Sequence, residues 1–190
     1  MAKVKIDAQA FVYPMPMTIV GAMINGKPNF LAVAWVTRVN YQPPLIGISL
    51  GKIHYTNAGI QENREFSVNI PGVDMIKETD YCGIVSGKKI DKAKLFEVFY
   101  GGLSHAPLIR QCPINMECRL VQTVELSSNQ FFIGEIVAAH ADSQYLSNGN
   151  PDMTKLRPFT LTMPDNNYWE VGANAGKAWN IGTQVKTKAG

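Results

Sequence analysis

The sequence predicts a mainly β fold, an antiparallel sheet closed into a small barrel with short helices. Three observations carry that expectation. Apolar runs from Met17 to Ile24 and from Phe30 to Val36 flank Asn25-Gly26, the strongest short hairpin signal. Pro43-Pro44 blocks helix and launches a third run, Leu45 to Leu50. Ile114, Met116, Cys118 and Leu120 alternate with Asn115, Glu117 and Arg119, the period of a strand with one buried face.

The remaining elements follow in chain order. Thr37 to Gln42 is polar and reads as a loop. Thr56 suits the cap of a short helix through Ala58, Ile60 and Asn63, after which Glu65 to Ile70 returns as a strand ended by Pro71-Gly72. A second helix is expected from Val73 to about Ile84, with Asp74 at its start and Ile76, Thr79, Tyr81 and Ile84 as an inward stripe. Ser127-Ser128-Asn129 separates the alternating strand from Phe131 to Ala139, its antiparallel neighbour. Strands joined by hairpins disfavour a doubly wound parallel sheet.

The chain has 190 residues, 46% hydrophobic and 17% charged, which suits one globular domain over 1–190. Its tail from about residue 148 is rich in Asn, Gly and Pro and carries Trp169 and Trp179. That tail is expected to pack on the barrel or on a partner subunit, with one tryptophan covering a ligand or the partner. Eighteen Lys+Arg against 15 Asp+Glu leave +3, too little for nucleic acid; an oligonucleotide-binding barrel would need a basic groove interleaved with aromatics. No apolar stretch reaches the ~18 to 20 residues of a membrane span, and the start, Met-Ala-Lys-Val-Lys-Ile-Asp, lacks a secretory pattern. Cys82, Cys112 and Cys118 are odd in number and lack C-x-x-C spacing, so reduced thiols in a cytoplasm are expected.

Several chemistries are excluded by pattern. No G-x-G-x-x-G follows a strand, and Cys82 and Lys89 stand where a phosphate loop ending at Gly87-Lys88 would need Gly and Ser or Thr. His54, His105 and His140 lie far apart, with no metalloprotease spacing, and each reads as an ordinary structural or surface residue. Neither a serine elbow nor a cysteine-nucleophile signature is present, and Cys82 reads first as a packed thiol. A thiol beside a redox cofactor is the sharper reading of Cys82, because Gly83, Ser86 and Gly87 would admit a ligand close to the backbone.

The positive signal is a set of phosphate-binding residue types at strand ends: Trp35, Thr37, Arg38, Asn40, Ser49, Lys52, Tyr55, Thr56 and Asn57. Hydroxyls, backbone N–H groups at a helix start and a nearby cation can hold a phosphate without a glycine-rich loop. A capped surface helix with a solvated lysine would leave the same residues.

The order of the pieces resembles a known family. Asn25-Gly26-Lys27-Pro28-Asn29, Ala34-Trp35-Val36-Thr37, Pro43-Pro44-Leu45-Ile46-Gly47-Ile48-Ser49-Leu50 and Phe66-Ser67-Val68-Asn69-Ile70-Pro71 are similar to the flavin reductase-like FMN-binding split-barrel family, flavoredoxin subgroup. Asp80-Tyr81-Cys82-Gly83-Ile84-Val85-Ser86-Gly87, then Asp91-Lys92, extend the likeness, which spans roughly 17–137. The resemblance implies a six-stranded antiparallel split barrel holding FMN non-covalently, usually as a homodimer. By position, Ala34, Trp35, Val36, Thr37 and Asn40 would run along the flavin, with Ser49, Leu50 and Gly51 on the next strand end. Lys52, Tyr55 and Thr56 would hold the phosphate, while Asn69, Ile70, Pro71, Cys82, Gly83, Ser86 and Gly87 would lie near the ring. Lys88, Lys89 and Lys92 are candidates for a cation near the flavin's N1–C2 carbonyl edge.

The function so implied is an electron carrier meeting a redox protein partner. The alternative is a flavin reductase drawing on NADH or NADPH, and a third is a non-catalytic flavin-binding barrel. No nucleic acid and no membrane is expected among the partners.

Overall fold

The computed structural model describes residues 1–185. The chain runs through β1 (Met15–Pro16), β2 (Thr18–Ile24), β3 (Lys27–Val33), β4 (Val36–Asn40), β5 (Leu45–Gly51), α1 (Thr56–Asn63), β6 (Glu65–Ile70) and α2 (Ile76–Ile84). It continues through β7 (Val98–Phe99), β8 (Leu108–Ile109), β9 (Ile114–Glu125), β10 (Asn129–Ala141), β11 (Leu146–Ser147), β12 (Asn150–Pro151), α3 (Met153–Leu156), β13 (Phe159–Thr162) and β14 (Asn167–Glu170). The main sheet has the order β3-β2-β6-β9-β10-β5-β4, and its pairs are antiparallel. It therefore has seven strands where six were expected. The mainly β, antiparallel class stands.

Local chemistry explains the hairpins. Asn25 and Gly26 both take positive φ, 50° and 73°, and Ile24 pairs with Lys27, so the turn has the twist that a two-residue loop requires. The extra strand is β4. The polar stretch Thr37–Asn40, read as loop, instead pairs with β5 from Thr37↔Gly47 to Asn40↔Leu45. Its side chains are exposed because it is the sheet edge, where alternation of burial is lost and polarity no longer marks a loop.

Two apolar clusters flank the same strands. Val20, Leu31, Ile48, Phe66, Val68, Cys118 and Phe132 fill the barrel interior, closed by Ile60 of α1. On the other side, Ile19 and Phe30 meet Met75 and Cys82 around α2, with Phe96, Ile109 and Cys112. Burial on both faces is why β2 reads as an unbroken apolar run. The stripe expected on α2 needs correction: Met75, Thr79 and Cys82 are buried, whereas Ile84 is 73% exposed. A 3-10 turn over Val73–Met75 precedes α2 and sets the helical phase, placing 75, 79 and 82 on one face.

β13 and β14 of the tail form a small antiparallel sheet with β1 of the N-terminal arm, in the order β1-β13-β14. Trp169 donates its indole N–H to Thr162 Oγ1 at 2.8 Å and stays half exposed, and Trp179 is fully exposed, so neither enters the barrel core. No helix among the described residues is long and apolar enough to cross a membrane.

Candidate functional site

Where β3 gives way to β4 the chain passes from Val33 through Ala34 and Trp35, opening a groove along the ends of β3 and β5 toward α1. The groove is a chain of adjoining hollows. The outermost, ≈ 640 Å³, is walled by Phe11 and Pro14 of the N-terminal arm, by Ala34 to Thr37, and by Ser49 and Phe131. The middle one, ≈ 440 Å³, continues past Ala34, Ser49, Leu50 and Gly51 to His54 and Asn129. A neck of ≈ 180 Å³ follows, bounded by Asn29, His54 to Thr56, the segment Gly83–Gly87 and Lys92.

Each wall has a local cause. Phe131 lies across from Ser49 in the β5–β10 ladder, and its ring covers Gly47, where a Cβ would stand 2.3 Å from the ring edge. Only glycine lets that ring lie flat against the strand. At the groove mouth Trp35 is 46% exposed, with its ring 6.5 Å from that of Phe11. In the middle hollow Asn129 Nδ2 donates to Ser49 Oγ at 3.1 Å.

The neck is polar and fixed. Thr56 Oγ1 accepts from Asn29 Nδ2 at 2.8 Å, a buried bond that leaves the hydroxyl proton of Thr56 to donate. Thr56 is not the helix cap it was read to be. His54 N–H bonds Gly51 O at 3.0 Å, the turn places Tyr55 at the N-cap, and no side chain caps α1. Asn57 N and Ala58 N donate to His54 O and Tyr55 O at 3.3 Å, so the N–H groups at this helix start that face no acceptor are those of Tyr55 and Thr56. Opposite it, Lys92 is only 3% exposed and donates from Nζ to the carbonyls of Cys82 at 2.9 Å and Val85 at 3.1 Å. Those are the unpaired carbonyls at the end of α2, so the buried ammonium pins the Gly83–Gly87 segment as the neck's outer wall. Burial pushes the Lys92 ammonium down, and burial with the neighbouring Lys92 charge pushes His54 below its ordinary value.

The groove thus gathers Ala34, Trp35, Val36, Thr37, Ser49, Leu50, Gly51, Tyr55, Thr56, Gly83, Ser86 and Gly87. Other expected residues stand elsewhere. Asn40 donates from Nδ2 to Pro43 O at 2.9 Å and holds the β4–β5 turn. Lys52 points away to pair with Glu125 at 3.2 Å, both exposed. Asn69 is fully buried and spent: Nδ2 donates to Ile19 O and Ser67 Oγ, while Oδ1 accepts from Ile109 N and Asn115 Nδ2. Ile70 and Pro71 close the end of that strand and line none of the three hollows. Cys82 turns into the core with no exposure, where burial and Glu78 push its thiol up to about 11 despite Lys92. It is the packed thiol, and the backbone that follows it lines the neck. Of the three lysines considered as cations, Lys92 is buried, while Lys88 sits 5.7 Å over the Tyr55 ring.

Asn29, His54, Asn129 and Phe131 are groove residues that sequence reasoning did not select. His54 stands beside the selected Tyr55, a proximity that was available as a signal, whereas Asn29 lies inside β3, five residues before Ala34, and carries no such signal. Asn129 and Phe131 reach the site only through the β5–β10 pairing, which no local pattern displays.

Strand order and pockets define a small antiparallel barrel with an elongated groove along one edge. The chain belongs to the family of the flavin reductase like domain, whose model matches residues 10–162. It is similar to flavoredoxin from Methanosarcina acetivorans, with 54% identity, a TM-score of 0.94 and coverage of 96% of this chain and 98% of that one. Flavoredoxin of Desulfovibrio vulgaris (Miyazaki F) is 32% identical, with a TM-score of 0.89 over 95% of this chain and all of that one. A more distant curated relative, the reductase component of a 4-nitrophenol 4-monooxygenase/4-nitrocatechol 2-monooxygenase from Rhodococcus opacus, is 27% identical over 71% of this chain and 68% of its own. The resemblance read from the five short strings is borne out.

Proposed function

We propose that the chain is an FMN-binding redox protein of flavoredoxin type, which carries electrons on a non-covalently held flavin. One observation carries this reading: a groove that begins apolar and aromatic, at Trp35 and Phe131, and ends at an uncapped helix start beside Thr56 and the buried Lys92. That gradient fits a flat ring with a phosphate tail. At the neck a Cβ on Gly87 would stand 1.9 Å from Asn29 Oδ1, so only glycine lets the 83–87 backbone close against Asn29 and bound a space of phosphate size beside Thr56.

A bound flavin supplies the electron or hydride transfer. The chain's residues do the positioning. Phe131 and Trp35 exclude water from the ring end, Asn129 and Ser49 offer polar atoms at its edge, and the Thr56 hydroxyl with the N–H groups of Tyr55 and Thr56 holds the phosphate. His54, kept neutral by burial and Lys92, can donate one hydrogen bond midway without adding charge.

Thr56→Val should therefore weaken FMN binding about tenfold, the loss of one hydrogen bond to a charged group of about 1.5 kcal/mol. Lys52→Ala should change it less than twofold, since Lys52 is committed to Glu125. Fluorescence titration of FMN into both variants checks the pair, and equal effects would return Lys52 to the phosphate site.

A homodimer belongs to the same proposal, supported by exposed Val12, Ile53 and Trp179 and by Trp35 at the groove mouth. Sedimentation equilibrium at micromolar concentration tests it, with twice the chain mass expected. A cytoplasmic setting is supported by three buried, unpaired cysteines. The second reading, an NAD(P)H-dependent flavin reductase, is favoured by the open outermost hollow and the relative from Rhodococcus opacus. Anaerobic titration of the FMN-loaded protein with NADH and NADPH separates the two. A carrier leaves the flavin absorbance unbleached within minutes; rapid stoichiometric bleaching by either nucleotide makes it a reductase.

A further inference from the structure

Asn57, the second residue of α1, is 4% exposed and lines none of the three hollows. Its Nδ2 donates twice, to Gly51 O at 3.1 Å and to Gln130 Oε1 at 2.9 Å. Its Oδ1 is buried and meets no partner. A buried acceptor left open costs stability, which an apolar side chain of the same size would avoid. The two bonds from the nitrogen are therefore what this position supplies.

The neighbours fix which way the amide points. Gly51 O can only accept. The Glu125 carboxylate is also an acceptor, so the Gln130 amide turns Nε2 toward it at 2.7 Å and leaves Oε1 for Asn57. Lys52 completes the line with its ion pair to Glu125 at 3.2 Å. That outer pair is exposed and contributes little, whereas the bonds from Asn57 are partly shielded from water.

Both acceptors of Asn57 border the groove. Gly51 ends β5 and begins the turn into α1, and its carbonyl accepts from His54 N as well as from Asn57. That turn brings His54 to the middle hollow and the neck, and it sets Tyr55 and Thr56, whose N–H groups face no acceptor. Ile53 within it is 89% exposed and gives the turn no apolar anchor. Gln130 follows Asn129, which stands across the β5–β10 ladder from Gly51 and donates to Ser49. One buried amide thus ties the turn before α1 to the strand that borders the middle hollow.

We infer that Asn57 is a positioning residue for the flavin phosphate. Through Gly51 and Gln130 it holds the 51–56 turn in the shape that presents the Tyr55 and Thr56 N–H groups and the Thr56 hydroxyl to the neck. This role rests on the reading of the neck as the phosphate's place, and it gives Asn57 no contact with the flavin. Donors fixed in place before the phosphate arrives bind it more tightly than donors that must be ordered on binding.

The test compares Asn57→Leu, Gln130→Leu and Ile60→Val with wild type, each checked for folding by urea unfolding. Leucine has about the size of asparagine without its donor, while Ile60→Val loosens the same helix from the core and leaves these hydrogen bonds alone. FMN and riboflavin are titrated into each protein, and the ratio of the two affinities reports the phosphate end. Asn57→Leu is expected to cut that ratio about fivefold or more, with riboflavin affinity moving less than about twofold. Gln130→Leu removes one of the two bonds and should cut it by about two- to threefold, and Ile60→Val should leave it unchanged. A ratio kept in both leucine variants overturns the role. So does an equal loss of FMN and riboflavin, or a matching fall of the ratio in Ile60→Val. Should Asn57→Leu fail to fold, the ratio in Gln130→Leu decides. A wild type that binds FMN no more tightly than riboflavin overturns the phosphate reading and this role together, whereas a wild-type preference for FMN that survives in the variants overturns this role alone.

Discussion

Replacing Lys92 with Met is expected to cost about 2 kcal/mol of stability and to lower FMN affinity by tenfold or more. The ammonium is 3% exposed and its two hydrogen bonds go to the carbonyls of Cys82 and Val85. Methionine fills the same space without a donor, so two carbonyls lose their charged partner and the Gly83–Gly87 wall of the neck loses its anchor. Removing a buried charge offsets part of that loss, which keeps the expected cost below the sum of two charge-assisted bonds. Lys92→Arg, which keeps donors, should recover most of the affinity. Urea unfolding and FMN titration on both variants check it. Unaltered FMN affinity in Lys92→Met would show that the neck wall stands without the lysine.

The second large effect lies at the far end of the long strands. Glu117 on β9 is fully buried; its Oε1 meets His140 Nε2 at 2.7 Å and its Oε2 accepts from Leu103 N at 2.6 Å. Burial pushes this carboxyl up, but the hydrogen bonds from His140, Leu103 and Gly102 together outweigh it and hold the group below its ordinary value of 4.5. A depressed carboxyl contributes stability that is fully present above the unfolded-state value and is lost as pH falls through the folded one. Glu117→Gln should therefore cost about 2 to 3 kcal/mol at pH 7, with the gap from wild type shrinking below pH 4.5. Denaturant unfolding at pH 7 and pH 3.5 measures that gap. A gap that stays constant across the range would mean that the carboxylate's charge contributes nothing. FMN binding at pH 7 should be unaffected, because neither Glu117 nor His140 lines the groove.

Much of this was legible in the residues. Asn25-Gly26, Pro43-Pro44 and the alternation from Ile114 to Leu120 are local signals, and they place four of the sheet's strands, β2, β3, β5 and β9, correctly. The polar Thr37–Asn40 edge was misread because an edge strand owes its pairing to β5, which the local pattern does not display. The α2 stripe was out of phase for a comparable reason, since a 3-10 turn upstream rotates the helix and leaves no mark in hydropathy. Of the expected site residues, those at strand ends came together because ends of neighbouring antiparallel strands share an edge. Residues chosen by type alone fared differently. Lys52 found a nearer carboxylate in Glu125, and Asn69 met four backbone and side-chain partners inside the sheet. Asn129 and Phe131 were missed because only the pairing of β10 with β5 brings them beside Ser49.

The groove from Trp35 to Thr56 is the proposed seat of FMN. The most direct test is equilibrium titration of the flavin-free protein with FMN, reading the visible spectrum and flavin fluorescence, with riboflavin as the control lacking phosphate. One FMN per chain is expected, with a resolved, shifted flavin band, and riboflavin should be held at least tenfold more weakly because the neck has no phosphate to grip. Equal affinity for both flavins would contradict the phosphate end of the groove, and an unperturbed free-flavin spectrum at saturating protein would contradict the site as a whole.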